Sequence, residues 1–219
     1  MNSIADYASG VKIGRAISFK EETKHTMPKI VAIVGSPRPT GNTNYLVDVA
    51  LEEAHMAGVE ADKIELAKYK LNGCMGHDNC TSFKVCQQKD DMVWILEKFR
   101  QADGIILATP VYYWNMTAQM KTFIDRNYFL FRHRIKRNAR SVGVIIVAGG
   151  SGIELTEEAL RRFIESSTRG PHQRVHKVTG RASRIGDVKS NLALVEEARR
   201  LGRIMAAELL DQPSPGGQP

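Results

Sequence analysis

The chain has 219 residues, 42% of them hydrophobic, enough for one sizeable α/β domain and too few for two. No apolar run approaches the roughly 18 residues that a membrane span needs, and the start carries no secretory h-region, so a cytoplasmic protein is expected. The formal charge of +7 favours phosphates or acidic partners.

Residues 1–28 have mixed polarity without a sustained period and read as an arm, either wrapping a neighbouring subunit or disordered. Lys29 to Gly35 (KIVAIVG) is a β-branched run apolar enough to be a central parallel strand. A helix follows from about Asn42 to Ala57. Between them lies Ser36-Pro37-Arg38-Pro39-Thr40-Gly41-Asn42-Thr43-Asn44, where the helix start offers free N–H groups and a positive dipole end to an anion. Ser36, Thr40, Asn42, Thr43 and Asn44 add short donors, Arg38 adds charge, and Gly41 lets the backbone come close. A Walker loop is excluded, because Gly35 and Gly41 enclose five residues and Asn42 stands where its lysine belongs. A GxGxxG dinucleotide motif is absent too. The loop suits one terminal phosphate.

Val59 to Leu66 reads as a strand nearer the sheet edge, and a cysteine loop follows over 69–89. Its three cysteines, Cys74, Cys80 and Cys86, are unlike a disulfide framework in number and distribution. Asp90 and Asp91 open the next helix. Gly104 to Thr109 is a third strand, Pro110 to Asn115 a loop, and Met116 to Phe129 a helix. Phe131 to Arg140 carries five arginines and lysines with no acid; it reads as a solvated loop, or as a surface that steers NADPH or an acidic electron-transfer partner. Nucleic acid is disfavoured, since no recognition-helix or RNA-binding signature accompanies the charge. Ser141 to Ala148 is a fourth strand, ending in Gly149-Gly150-Ser151-Gly152, then a helix runs over about 155–167 and a fifth strand over 173–180. A last helix opens at Asp187 or Ser190 and runs to about Leu210, leaving 211–219 as a tail.

Five strands alternating with five helices predict a doubly wound parallel sheet of flavodoxin-like order 2-1-3-4-5, with helices on both faces over 29–210. The ligand then belongs outside the carboxyl ends of the central strands. There the loops after strands 1, 3 and 4 meet. Pro110, Val111, Tyr112, Tyr113, Trp114 and Asn115 put aromatics and exposed backbone where a flat heterocycle would lie; Gly149, Gly150 and Ser151 offer an open turn.

The loop GSPRxxGNTN and the run TPVYYWNMTAQMKTFIDR, ending in Lys121, Ile124, Asp125 and Arg126, resemble the NAD(P)H-dependent FMN reductase family, closest to its iron-sulfur flavoproteins. That resemblance covers about residues 29–210 and includes Gly186-Asp187. It implies an FMN whose phosphate sits in the first loop, homodimers or homotetramers, and electron flow from NADH or NADPH to a quinone, flavin, metal ion or redox protein. The alternative is an electron carrier between FMN, a [4Fe-4S] cluster and a ferredoxin-like partner, without nicotinamide chemistry. A third class is a flavin-fold regulatory protein. Because the cofactor carries the chemistry, no catalytic residue is assigned. The resemblance also implies a C-x2-C-x2-C-x5-C cluster motif, and the spacing is met by Cys74, His77, Cys80 and Cys86 with histidine at the second position. Three readings stay open: a cluster, a Cys3His zinc site, and a loop without metal.

Overall fold

The computed structural model describes residues 27–166 and 174–211. The arm up to residue 26 and the tail from 212 lie outside the described residues. The strands are β1 (Lys29–Val34), β2 (Glu60–Glu65), β3 (Gly104–Tyr112), β4 (Asn115–Met116), β5 (Ser141–Ala148) and β6 (Arg174–Arg181). The helices are α1 (Asn42–Met56), α2 (Met92–Gln101), α3 (Ala118–Arg126), α4 (Tyr128–Arg132), α5 (Ile153–Ser166) and α6 (Leu192–Leu210).

Five strands are parallel in the order β2-β1-β3-β5-β6, and β4 pairs antiparallel with β3. With that short strand set aside, the order is the expected 2-1-3-4-5. The alternation along β1 divides the core. Ile30, Ala32 and Val34 face α1 and α6, whereas Val31 and Ile33 face α2 to α5. Both faces being covered, the central strands carry almost no polar side chains. No helix of the described residues is long and apolar enough to cross a membrane.

Several boundaries differ from expectation. The third strand continues through Pro110 to Tyr112 instead of ending at Thr109, then turns back into β4. Tyr113 and Trp114 make that turn with φ of 49° and 72°. Two consecutive positive φ values are what a two-residue hairpin of type I′ requires, and bulky residues rarely supply them. The helix expected from Met116 starts at Ala118, capped by Thr117, and breaks at Asn127 into α3 and α4. The last helix starts at Leu192, after a 3-10 turn over Asp187–Ser190, because Asn191 accepts a bond from Leu194 N–H and caps it.

The helices α1 and α6 touch backbone to backbone. A Cβ on Gly202 would stand 2.1 Å from the Ala50 carbonyl oxygen, so only glycine permits this approach.

Candidate functional site

The loop after β1 is built inward before it offers anything outward. Gly35 N–H donates to Ala108 O at 2.8 Å, continuing the strand ladder, and its carbonyl accepts from Thr117 Oγ1 at 2.7 Å. A Cβ on Gly35 would meet Thr117 Oγ1 and Met120 Cβ at 2.8 Å, so the loop begins clamped to the start of α3. The carbonyl of Arg38 is its hub, accepting from Gly41 N–H at 3.0 Å, Asn44 Nδ2 at 2.8 Å and Ser36 Oγ at 3.3 Å. The first i→i−4 bond of α1 is Tyr45 N–H to Gly41 O at 3.1 Å. The N–H groups of residues 42 to 44 precede it. With no acidic residue in the first turn and no side-chain cap, that helix end is open to an anion.

Three further segments close a cleft of about 210 Å³ over this loop. Pro110, Val111 and Tyr112 come from β3, Val147 and Gly149 from the end of β5, and Ala182, Ser183 and Ile185 from the turn after β6. Opposite them stand Ser36, Arg38, Gly41, Asn42 and Thr43. Arg38 is the charged side chain of this lining, and together with the positive end of α1 it sets the sign of the site. Cavities that enclose a whole ligand run to about 300–1,000 Å³. At about 210 Å³ this one encloses only part of such a ligand.

The expected residues divide accordingly. Asn44 is buried and turned to the Arg38 carbonyl, and Thr40 is exposed outside the lining. Asn42 lines the cleft, yet both ends of its amide are taken: Nδ2 donates to Arg184 O at 2.8 Å and Oδ1 accepts from Gly186 N–H at 2.9 Å. Tyr113 and Trp114 stand out from the hairpin, 98% and 59% exposed, and neither lines the cleft. Asn115 accepts its neighbour's Met116 N–H; Gly150 and Ser151 are exposed beyond the rim. A Cβ on Gly152 (φ 98°) would crowd Val111 and the Trp114 backbone at 2.8 and 2.9 Å, so the glycine turn braces the hairpin. The turn 182–187 was not expected at the site. Its signal is local: Asp187 Oδ2 accepts from Ser183 N–H and Arg184 N–H at 3.0 and 2.7 Å, and Gly186 takes φ 91°. Ser183 Oγ donates to Gly149 O at 3.0 Å, tying the turn to β5.

The cysteine loop is anchored by a buried ion pair. Arg126, 1% exposed, pairs with Asp90 and donates to Asn72 O at 2.9 Å and Cys86 Sγ at 3.3 Å. Burial pushes this guanidinium down, but the bond and charge of Asp90, with Cys86 beside it, hold it above its ordinary value. Arg126 thus holds the loop together, and Lys121 pairs with Asp125 along α3. Cys74, His77, Cys80 and Cys86 do line one cavity, which is about 20 Å³ in volume. That is room for about one water. Burial pushes the Cys80 thiol up, Cys86 and Cys74 add to it, and Arg132 opposes it. Among the described residues no three His, Cys, Asp or Glu side chains stand where they could hold a metal ion. As placed, the four donors do not fit a cluster.

A sequence model of the family described as NADPH-dependent FMN reductase matches residues 28–175. An iron-sulfur flavoprotein of Archaeoglobus fulgidus is 42% identical over 124 residues, 57% of this chain and 56% of that protein. One of Methanocaldococcus jannaschii is 37% identical over 188 residues, 81% of this chain and 95% of that protein. Among solved structures, an NADH:FMN oxidoreductase in its apo form aligns with TM-score 0.59 at 19% identity, covering 86% of this chain and 93% of the other. An NAD(P)H:quinone oxidoreductase from Methanothermobacter marburgensis aligns with TM-score 0.61 at 15% identity, covering 81% and 98%. At those identities the structural likeness speaks for the fold.

Proposed function

The chain belongs to the NADPH-dependent FMN reductase family and is an FMN-binding oxidoreductase; from that premise we propose that its electrons come from NADH or NADPH and leave to a small or protein acceptor. The carrying observation is the strand-end cleft, with an open helix terminus and Arg38 at one end and open backbone at the other. The residues present fit FMN: a Cβ at Gly149 meets nothing nearer than 3.8 Å, so the β5 edge of the cleft is free for a ligand. Bound there, FMN supplies hydride and single-electron chemistry to a quinone, flavin, metal ion or redox protein.

The side chains bind and orient. Arg38, Ser36 and Thr43, with the first N–H groups of α1, hold the phosphate. Asn42 positions the turn 182–187 from the far side. The backbone of Pro110 to Tyr112 and of Gly149 faces the linker and ring edge, and Tyr112 covers an apolar surface. A second copy of the chain, as homodimer or homotetramer, covers what the shallow cleft leaves outside; the exposed Tyr113 and Trp114 beside it are its docking surface. The protein works in the cytoplasm. The electron-carrier reading has in its favour the shared cavity of Cys74, His77, Cys80 and Cys86, but no step is assigned to a cluster or zinc there.

The test is a fluorescence titration of the flavin-free chain with FMN and with riboflavin. FMN binds tighter, and Arg38→Ala with Thr43→Ala weakens FMN at least about tenfold while leaving riboflavin unchanged. Equal affinity for the two flavins, or unaltered FMN affinity in the variant, overturns the phosphate assignment.

A further inference from the structure

We propose that the concavity between α4 and the chain leading into β5 binds a small organic phosphate, at the end of the sheet opposite the flavin cleft. The cavity has a volume of about 730 Å³. Leu130, Phe131 and Ile135 give it an apolar floor, and Arg132, Arg134 and Lys136 stand around it. The segment is fixed to the beginnings of the strands: Asn138 N–H donates to Arg100 O at 2.9 Å and Arg140 N–H to Asp103 O at 2.7 Å, just ahead of β3 and β5. The flavin cleft lies at the other ends of those strands. A ligand here takes no part in hydride transfer.

Arg137 carries the inference. It lines the cavity and is 4% exposed, its guanidinium carbon 5.3 Å from the Phe99 ring centroid and 5.4 Å from that of Phe163. Those two rings, 6.4 Å apart and nearly parallel, pack on one side of it. In its plane, Nη2 donates to Ile164 O at 3.1 Å, while Nε and Nη1 are buried with no hydrogen-bond partner among the described residues. No carboxylate is paired with it there, and burial alone pushes it down to about 10. A buried cation with two idle donors is costly unless something anionic completes it.

The chemistry of the occupant follows. Arg134 and Lys136 have no ion pair among the described residues, so one carboxylate would leave most of the charge unmatched. A phosphate presents several acceptor oxygens in the geometry a guanidinium favours. The apolar floor calls for a ring or alkyl body attached to it. An acidic protein surface meets a rim, whereas a buried arginine is reached by a small protruding anion. The basic run is therefore more than a solvated loop.

The experiment is calorimetric titration of the FMN-loaded full chain with ADP and with inorganic pyrophosphate, alongside the Arg137 Nε–H resonance in arginine-labelled protein. ADP is expected to saturate below about 1 mM, bind tighter than pyrophosphate and move that resonance. Arg137→Met, and separately Arg134→Glu with Lys136→Glu, weaken it about tenfold to a hundredfold with flavin content unchanged. Should Arg137→Met fail to fold, the rim variant and the resonance decide. No saturation with either probe, pyrophosphate binding as tightly as ADP, an unmoved resonance at saturation, or unchanged affinity in the rim variant would each overturn the proposal.

Discussion

Replacing Asn42 by alanine separates two roles that one residue could play at the cleft. As a phosphate donor it would matter when flavin is bound; as the pin of the turn 182–187 it matters in the free chain as well. Its two bonds, to Arg184 O and from Gly186 N–H, are each worth about 0.5–1.5 kcal/mol. The first is solvent-exposed and counts at the low end, and alanine returns roughly half a kcal/mol of helix propensity in the first turn of α1. The net loss is about 0.5–1.5 kcal/mol, a fall in the melting temperature of the flavin-free chain of roughly 1–6 °C. The turn carries Ala182, Ser183 and Ile185 into the cleft, so a turn left loose must be ordered when FMN enters. Affinity then weakens roughly 2- to 13-fold. Thermal unfolding of the flavin-free protein and a flavin fluorescence titration measure both. Lower FMN affinity with an unchanged melting temperature would refute the pinning role and return Asn42 to the phosphate.

Two further outcomes rest on the same geometry. Gly35→Ala drives a Cβ into Thr117 and Met120 at 2.8 Å; overpacking of this kind costs about 1–3 kcal/mol, and urea unfolding that matches the unsubstituted chain would show that the loop is not clamped to α3. Burial pushes the Glu208 carboxyl up, but bonds from Ser141 and His176 outweigh it and hold it below its ordinary 4.5. A carboxyl depressed in the folded state stabilises above its ordinary value, and that contribution disappears as pH falls through the depressed one. Acid unfolding of Glu208→Gln should therefore be shallower below about pH 4.5, and a superimposable acid limb would refute the linkage.

The strands legible from sequence were those whose side chains have apolar neighbours on both faces. β1 and β5 are continuous β-branched runs because helices cover both sides of the sheet. The hairpin after β3 was hidden, since Pro110 suggests a strand end and Tyr113-Trp114 is an improbable pair for two positive φ values. The loop after β1 was legible as one wall of a strand-end cleft, but not in the division of labour within it. Asn42 and Asn44 look like ligands in sequence, and only the fold shows one holding a turn 144 residues away and the other holding the loop's own carbonyl. Arg126 and Asp90, 36 residues apart, follow no local period that would pair them. The basic run read as solvated because charge composition does not reveal that Arg137 folds inward against two phenylalanines.

The backbone contact of Gly202 with Ala50 bears on biosynthesis. A chain emerges at about 5–20 residues per second and folds its N-terminal parts first. The loop after β1 is made before the turn that Asn42 holds, 144 residues further on, and before α6, which seats α1. Until then the loop lacks the segment 182–185 that lines the cleft opposite it. If the cleft holds the flavin, loading follows the synthesis of α6, and a change at Gly202 would delay it without touching any residue of the cleft.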